Sequence, residues 1–285
     1  MITMNAKYNK LITNVLAPIF KCKFLPFVHV VKLFNLPSEV VTISDKGIEK
    51  PGDPIYFTAH RGVTSVAPEN TIPAYEEAVR LGYYSAECDI QRTKDGVWIL
   101  LHNDTVDKWF CEYGPIKDVT YAEASKYSFK GGSNFWAYDD LRIPTLDEFL
   151  DVFVGTNTRP QIEIKAETYD TLHEVVEAVE KKGLVESSIV ISFDLQQLRE
   201  IYKLNDKIGL WYHFDRITEE NIAEARSISD KVWLSANFDK NDRRSVQLAL
   251  DSGIDVSYWT VNTVEDAKIM YDLGVRYLET DILTK

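Results

Sequence analysis

The sequence predicts an α/β fold in which eight parallel strands close into a barrel, with an insertion after an early strand and a basic, apolar arm in front. The chain is 285 residues long, near the size at which a single core stops growing, and that length suits a barrel. From residue 54 onward, short β-branched or aromatic runs alternate with segments of helical periodicity, the pattern of successive βα units. The composition, 45% hydrophobic and 27% charged with 13 Gly and 10 Pro, is that of an ordinary globular chain. It excludes disordered, collagen-like and disulfide-scaffold classes.

The arm comes first. No acid precedes Glu39, whereas Lys7, Lys10, Lys21, Lys23 and Lys32 give the front of the chain five positive charges; the whole chain carries −12. Residues 11–36 are apolar, but lysines interrupt every window long enough to span a bilayer. Residues 1–50 are therefore expected to form an arm and 51–285 the barrel. The arm either packs on the barrel or gives residues 1–40 peripheral contact with an anionic membrane surface. The acidic remainder argues against nucleic acid as a partner. Cys22, Cys88 and Cys111 are too few and too scattered for a disulfide framework or a Cys-x-x-Cys metal site, and suit a cytoplasmic location, with export left open. Oligomeric state is not legible.

The strands are expected at 55–59, 85–91, 97–101, 161–165, 189–192, 208–211, 232–234, 256–259 and 276–279, one of the first three being ancillary to a barrel of eight. Helical spacing of apolar residues falls at 71–81, 146–154, 168–182, 195–204, 219–227 and 264–273. Residues 103–144, with Gly131 and Gly132, aromatics that include Tyr113, Tyr121, Tyr127, Phe129 and Trp136, and little periodicity, read as an insertion. Directly after a strand, it would emerge at the C-terminal face, where barrels build their sites.

Polar groups gather at the strand ends. His60 and Arg61 follow the first strand and His102 the third. Glu87 and Asp89 share one face of an extended strand, as do Glu163 and Lys165. Inward carboxylates raise one another's pKa unless a cation joins them, so a hard divalent ion bound through oxygen is expected at Glu87, Asp89 and Glu163. His60 and His102 supply an acid and a base near neutral pH, and Arg61 and Lys165 supply fixed charge suited to a phosphate. Together these suggest metal-dependent phosphoester chemistry.

The chain also resembles the glycerophosphodiester phosphodiesterase family. The resemblance rests on His60-Arg61-Gly62, Pro68-Glu69-Asn70-Thr71, Glu87-Cys88-Asp89, Thr93-Lys94-Asp95-Gly96, His102, Pro144-Thr145-Leu146-Asp147-Glu148, Glu163-Ile164-Lys165 and Trp259-Thr260-Val261-Asn262. It implies a (β/α)8 TIM barrel that hydrolyses glycerophosphodiesters to glycerol 3-phosphate and an alcohol, with Mg²⁺ or Ca²⁺ as cofactor. By the same resemblance His60 and His102 are the catalytic pair, Glu87, Asp89 and Glu163 the metal ligands, and Arg61, Lys165 and Trp259 the substrate contacts. His102 is expected to be the acid. Glu69 and Asn70 are expected to cap the first helix and position its loop.

The chain departs from the family pattern after His102, where Asn103-Asp104 replaces an immediate aspartate, and near the end, where Leu283 replaces a proline. His213 is read as pocket wall, and Trp136, Trp211, Tyr212, Phe238 and Trp259 as aromatics that could box a choline group. Two alternatives remain open: lysophospholipase D-type activity on membrane lipids, and a non-catalytic phosphodiester-binding barrel.

Overall fold

The computed structural model describes residues 40–43 and 48–285. The expectations for the arm at 1–39 lie outside the described residues. Strands β1 (Val41–Thr42), β2 (Tyr56–Ala59), β3 (Ser85–Arg92), β4 (Trp98–Leu100), β5 (Arg159–Ile164), β6 (Ile189–Ser192), β7 (Gly209–Phe214), β8 (Trp233–Asn237), β9 (Val256–Trp259), β10 (Tyr277–Thr280) and β11 (Leu283–Thr284) are joined by helices α1 (Ile72–Leu81), α2 (Tyr121–Ala124), α3 (Leu146–Asp151), α4 (Leu172–Lys181), α5 (Leu195–Leu204), α6 (Glu219–Arg226), α7 (Arg243–Ser252) and α8 (Val264–Leu273). Parallel pairing runs from β3 through β5, β6, β7, β8, β9 and β10 to β2, and β2 pairs back with β3 through Thr58↔Ser85. Eight strands close the barrel, as the sequence predicts.

The expected third strand is the ancillary one. The chain turns at Gly96, whose φ of 84° is open to a residue without Cβ, and β4 runs back antiparallel along β3, with Trp98 opposite Arg92 and Leu100 opposite Ile90. His102 is therefore delivered by a hairpin outside the barrel and not by a barrel strand. Three other expectations change. Helix α7 goes unread in the sequence because its buried positions are Ser245, Val246 and Ala249, too small to mark a stripe. Helix α4 begins at Leu172 and not near 168. Strand β7 extends to Phe214, so His213 lies on the strand and not after it.

Alternation along each strand sorts the core. Outward residues such as Phe57, Cys88, Ile162, Val190, Leu210, Leu234, Val256 and Leu278 are buried beneath the helices in one cluster. Inward residues stack in three layers. The lowest is aromatic: Trp211 stacks on Trp233 at 5.2 Å and Tyr56 on Tyr277 at 4.9 Å. The middle is small and polar, with the Thr58 hydroxyl 2.7 Å from that of Ser85, which donates to Gln161 Oε1 at 2.8 Å. The upper layer, at the C-terminal ends of the strands, carries the charged groups.

The insertion has a core of its own in Ile99, Leu101, Val106, Phe110, Ile116, Ala124 and Ile143. It lies against the loop after β2. Asn134 Nδ2 donates to the Val66 carbonyl at 2.9 Å, and Lys108 pairs with Glu69 at 3.0 Å. A Cβ on Gly132 would stand 2.6 Å from Pro68 Cβ, so only glycine permits this approach.

Candidate active site

At the barrel mouth the β2, β3, β5 and β10 ends converge. Glu87 and Asp89, two residues apart on β3, both face inward and are 1% exposed; Glu163, their neighbour on β5, is 6% exposed. Each offers one oxygen within 4.8 Å of the others. Lys165 bridges this group, with Nζ 2.5 Å from Glu163 and 3.5 Å from Asp89. Arg61 closes the other side: its Nε lies 3.2 Å from Asp89, and its backbone N–H donates to Glu87 Oε2 at 2.9 Å. That N–H is aimed by a left-handed turn, φ 57° at Arg61 and 83° at Gly62, where a Cβ on Gly62 would collide with Ala74 at 2.6 Å.

The electrostatics divide the carboxylates. Burial works to raise Asp89, but Arg61, then Lys165 and His102, outweigh it and hold its pKa at about 2. Burial and the charges of Asp89 and Glu279 push Glu87 well above the usual carboxylate range, and burial with Asp89 raises Glu163. Glu279, on β10, is 2% exposed, and burial brings it to about 7. Glu87 Oε1 is buried with no hydrogen-bond partner. An orphaned oxygen inside a ring of hard donors is what an oxygen-seeking divalent cation would satisfy, so the residues fit such an ion.

The two imidazoles sit in opposite surroundings. His60 Nδ1 lies 2.8 Å from Asp281 Oδ1, and its Nε2 is 3.7 Å from Glu279. Burial opposes a proton there, yet the Asp281 hydrogen bond together with the charges of Glu279 and Asp281 outweighs it, and His60 is raised. His102 Nδ1 lies 2.7 Å from Asn103 Oδ1, a neutral acceptor, and burial, with Arg61 beside it, lowers its pKa. The Leu101 N–H donates to the Asp89 carbonyl at 3.0 Å and Gln91 Nε2 to the His102 carbonyl at 3.2 Å, which fixes His102 at the level of Asp89. Above them, His213 stacks on Trp259 at 4.7 Å, with the Phe193 ring edge-on to both. His213 is buried, and that burial, then Lys165, holds it neutral.

Residues 60–284 match the model of the glycerophosphoryl diester phosphodiesterase family. The chain belongs to this family. It is accordingly an enzyme, a phosphoric diester hydrolase. A glycerophosphodiester phosphodiesterase of Caldanaerobacter subterraneus is 32% identical over 78% of this chain and 92% of that one. One from Bacillus subtilis is 27% identical over 87% of this chain and 91% of its own. Among solved structures, a phosphodiesterase from Oleispira antarctica in complex with the product sn-glycerol-3-phosphate superimposes with a TM-score of 0.69, at 23% identity, over 80% of this chain and 93% of that one. At that identity the match speaks for the family's barrel.

Every residue singled out for the family's chemistry lies on the upper layer or its rim. His60, Arg61, Glu87, Asp89, Glu163 and Lys165 are in mutual contact around the mouth, His102 reaches it from the hairpin, and Trp259 forms the wall. Two expectations fail. Asn70 is not the cap of α1, which is Thr71; Asn70 instead grips Asp89, donating to Oδ2 at 2.8 Å. Trp211 is on the barrel floor, and Tyr212 faces outward with its hydroxyl on Glu224, so neither joins Trp259 in the aromatic group it forms with Phe193 and His213. Sequence reasoning gave no role to Asp281, Glu279, Phe193 or Asn262. The acidic pair two residues apart at 279 and 281 was the available signal, since it repeats the geometry of Glu87 and Asp89.

Proposed function

We propose that the chain hydrolyses glycerophosphodiesters to glycerol 3-phosphate and an alcohol, with a divalent cation bound by Glu87, Asp89 and Glu163 and with His60 and His102 handling the protons. The observation that carries this reading is the convergence of one three-carboxylate group, two imidazoles and two fixed cations at one barrel mouth. When bound, the cation supplies positive charge against the phosphodiester and the charge developing at phosphorus. All-oxygen donors favour Mg²⁺ or Ca²⁺.

Arg61 and Lys165 hold the phosphate anion on either side of the acidic group, and Trp259, with Phe193 and His213, walls the site. The environments of the imidazoles favour His60 as proton donor to the departing alkoxide and His102 as base, the reverse of the role expected for His102. Asp281 keeps a proton on His60. Asn103, standing where the family has a carboxylate, leaves His102 with a neutral partner that stabilises an imidazolium less than a carboxylate would, so its Nε2 is free to accept. Residues 51–285 suffice for this assignment.

Release of glycerol 3-phosphate from water-soluble glycerophosphodiesters and from lysophospholipids, with chelator and then with restored Mg²⁺ or Ca²⁺, tests the reading. Chelator-sensitive release is expected. His60→Ala is expected to lower kcat about 10²- to 10⁴-fold on alkyl esters and far less on a p-nitrophenyl diester, whose leaving group needs no proton. Equal losses on both substrates would reassign the donor.

A further inference from the structure

Glu279 is a buried carboxylate that the reaction above does not use. It is 2% exposed, its Oε1 faces His60 Nε2 at 3.7 Å, and its Oε2 has no hydrogen-bond partner among the described residues. Glu87 Oε1, across the barrel mouth, is likewise buried and unpartnered. His60, Glu87 and Glu279 each present one donor atom, all within 4.8 Å of one another.

We propose that His60, Glu87 and Glu279 form a second cation site, sharing Glu87 with the oxygen-only group, that takes a zinc-type transition-metal dication and thereby inhibits the enzyme. The donor set supports that chemistry. One imidazole nitrogen and two carboxylate oxygens with an open position suit zinc and its neighbours, whereas Mg²⁺ and Ca²⁺ prefer oxygen alone. The 3.7 Å from His60 Nε2 to Glu279 Oε1 is close to the separation of two ligands on one such ion. Asp281, 2.8 Å from Nδ1, completes a carboxylate–imidazole arrangement that directs the Nε2 lone pair toward Glu279.

Charge supports it independently. Among the described residues, Glu87, Asp89, Glu163, Glu279 and Asp281 face Arg61 and Lys165 as permanent cations, so with one divalent ion bound the remaining negative charge is met either by a proton, as on His60, or by a second ion. Binding makes a bond from the Nε2 lone pair to the ion; where Nε2 carries a proton, that proton leaves to solvent. His60 can then no longer pass a proton to the ester. The inhibitory part rests on the role proposed for His60, while the site itself does not.

Titration calorimetry of the metal-free enzyme with zinc chloride, together with anomalous diffraction from zinc-soaked crystals, tests the site. Wild type is expected to bind two ions, Glu279→Gln only the one at Glu163, and Glu163→Gln only the one at His60. Zinc inhibition of the Mg²⁺-supported reaction is expected to weaken about 10- to 100-fold in Glu279→Gln. A single ion in wild type, two ions retained in Glu279→Gln, or no anomalous density between His60 Nε2 and Glu279 would overturn the proposal. Should Glu279→Gln not fold, the wild-type anomalous map decides alone. Loss of hydrolysis assigned to Glu163 is read from the Mg²⁺-dependent rate, so failure of that reading and failure of the second site are separate results.

Discussion

Asn70 holds a left-handed backbone, φ 56°, that side-chain hydrogen bonds let asparagine adopt more readily than other non-glycine residues. Its amide makes three hydrogen bonds: Nδ2 donates to Asp89 Oδ2, and Oδ1 accepts from the Asp89 N–H at 3.1 Å and the Tyr75 hydroxyl at 2.8 Å. Asn70 thus sets the direction in which Asp89 presents its carboxylate. Asn70→Ala is expected to weaken Mg²⁺ or Ca²⁺ binding about 10- to 100-fold, as loss of a ligand's hydrogen-bond support does. Calorimetry would read this, and an unchanged dissociation constant would refute the role. The identities of the charged groups were legible in sequence because several such features, each weak alone, follow one another along successive strands in the order of the family's motifs. Their partners were not: Asp281 meets His60 only because β10 closes against β2, and no spacing along the chain encodes a contact between residues 221 positions apart.

The β3–β4 hairpin and the insertion act as a unit, since the insertion's core includes Ile99 and Leu101 on either side of β4's last residue. Their fit to the barrel runs through Gly132 on Pro68. Gly132→Ala puts a Cβ into Pro68 and a side chain at φ 96°, and is expected to destabilise the protein by about 1–3 kcal/mol. It would also raise KM more than it lowers kcat, because the loop bearing Arg61 shifts while the β3 and β5 ligands stay. Denaturant midpoints and steady-state kinetics check this; wild-type values for both would remove the insertion from any role in shaping the mouth. At this scale, strands were easier to read than helices. Buried strands are continuous apolar runs, whereas α7 buries two small residues and a valine and carries arginines at its start. The end of an expected strand is also uncertain in level: β7 runs three residues past the expected end at 211, so Trp211, on the inward face, lies at the floor and His213 at the mouth.

The whole barrel responds to its own charge. In the metal-free protein Glu87, Glu163 and Glu279 bind protons more tightly than in the unfolded chain, Glu279 to about 7. Folded-state pKa values above the unfolded value mean that the native state holds more protons, so stability falls as pH rises from the ordinary carboxylate range through 7. Apo thermal midpoints are expected to decline between pH 5 and 8, and saturating Mg²⁺ or Ca²⁺ to flatten that decline. At about 100 times its dissociation constant the ion adds roughly 2.7 kcal/mol, or about 5–10 °C in Tm for a chain of this size. A metal-independent, pH-flat midpoint would contradict the charge distribution described above. The eightfold closure was legible because periodicity is a property of many residues at once; the layer below the site, with Thr58, Ser85 and Gln161, was not, since isolated polar residues in strands look like surface positions. The floor beneath that layer has an optical consequence. Trp211 and Trp233 lie on neighbouring strands with their rings 11° from parallel, close enough for their excited states to couple. Such a pair gives a split signal in ultraviolet circular dichroism only while β7 and β8 keep their register. It would follow closure of the barrel from the end opposite the chemistry, blind to what the mouth has bound, whereas the emission of Trp259 against neutral His213 would follow the mouth alone.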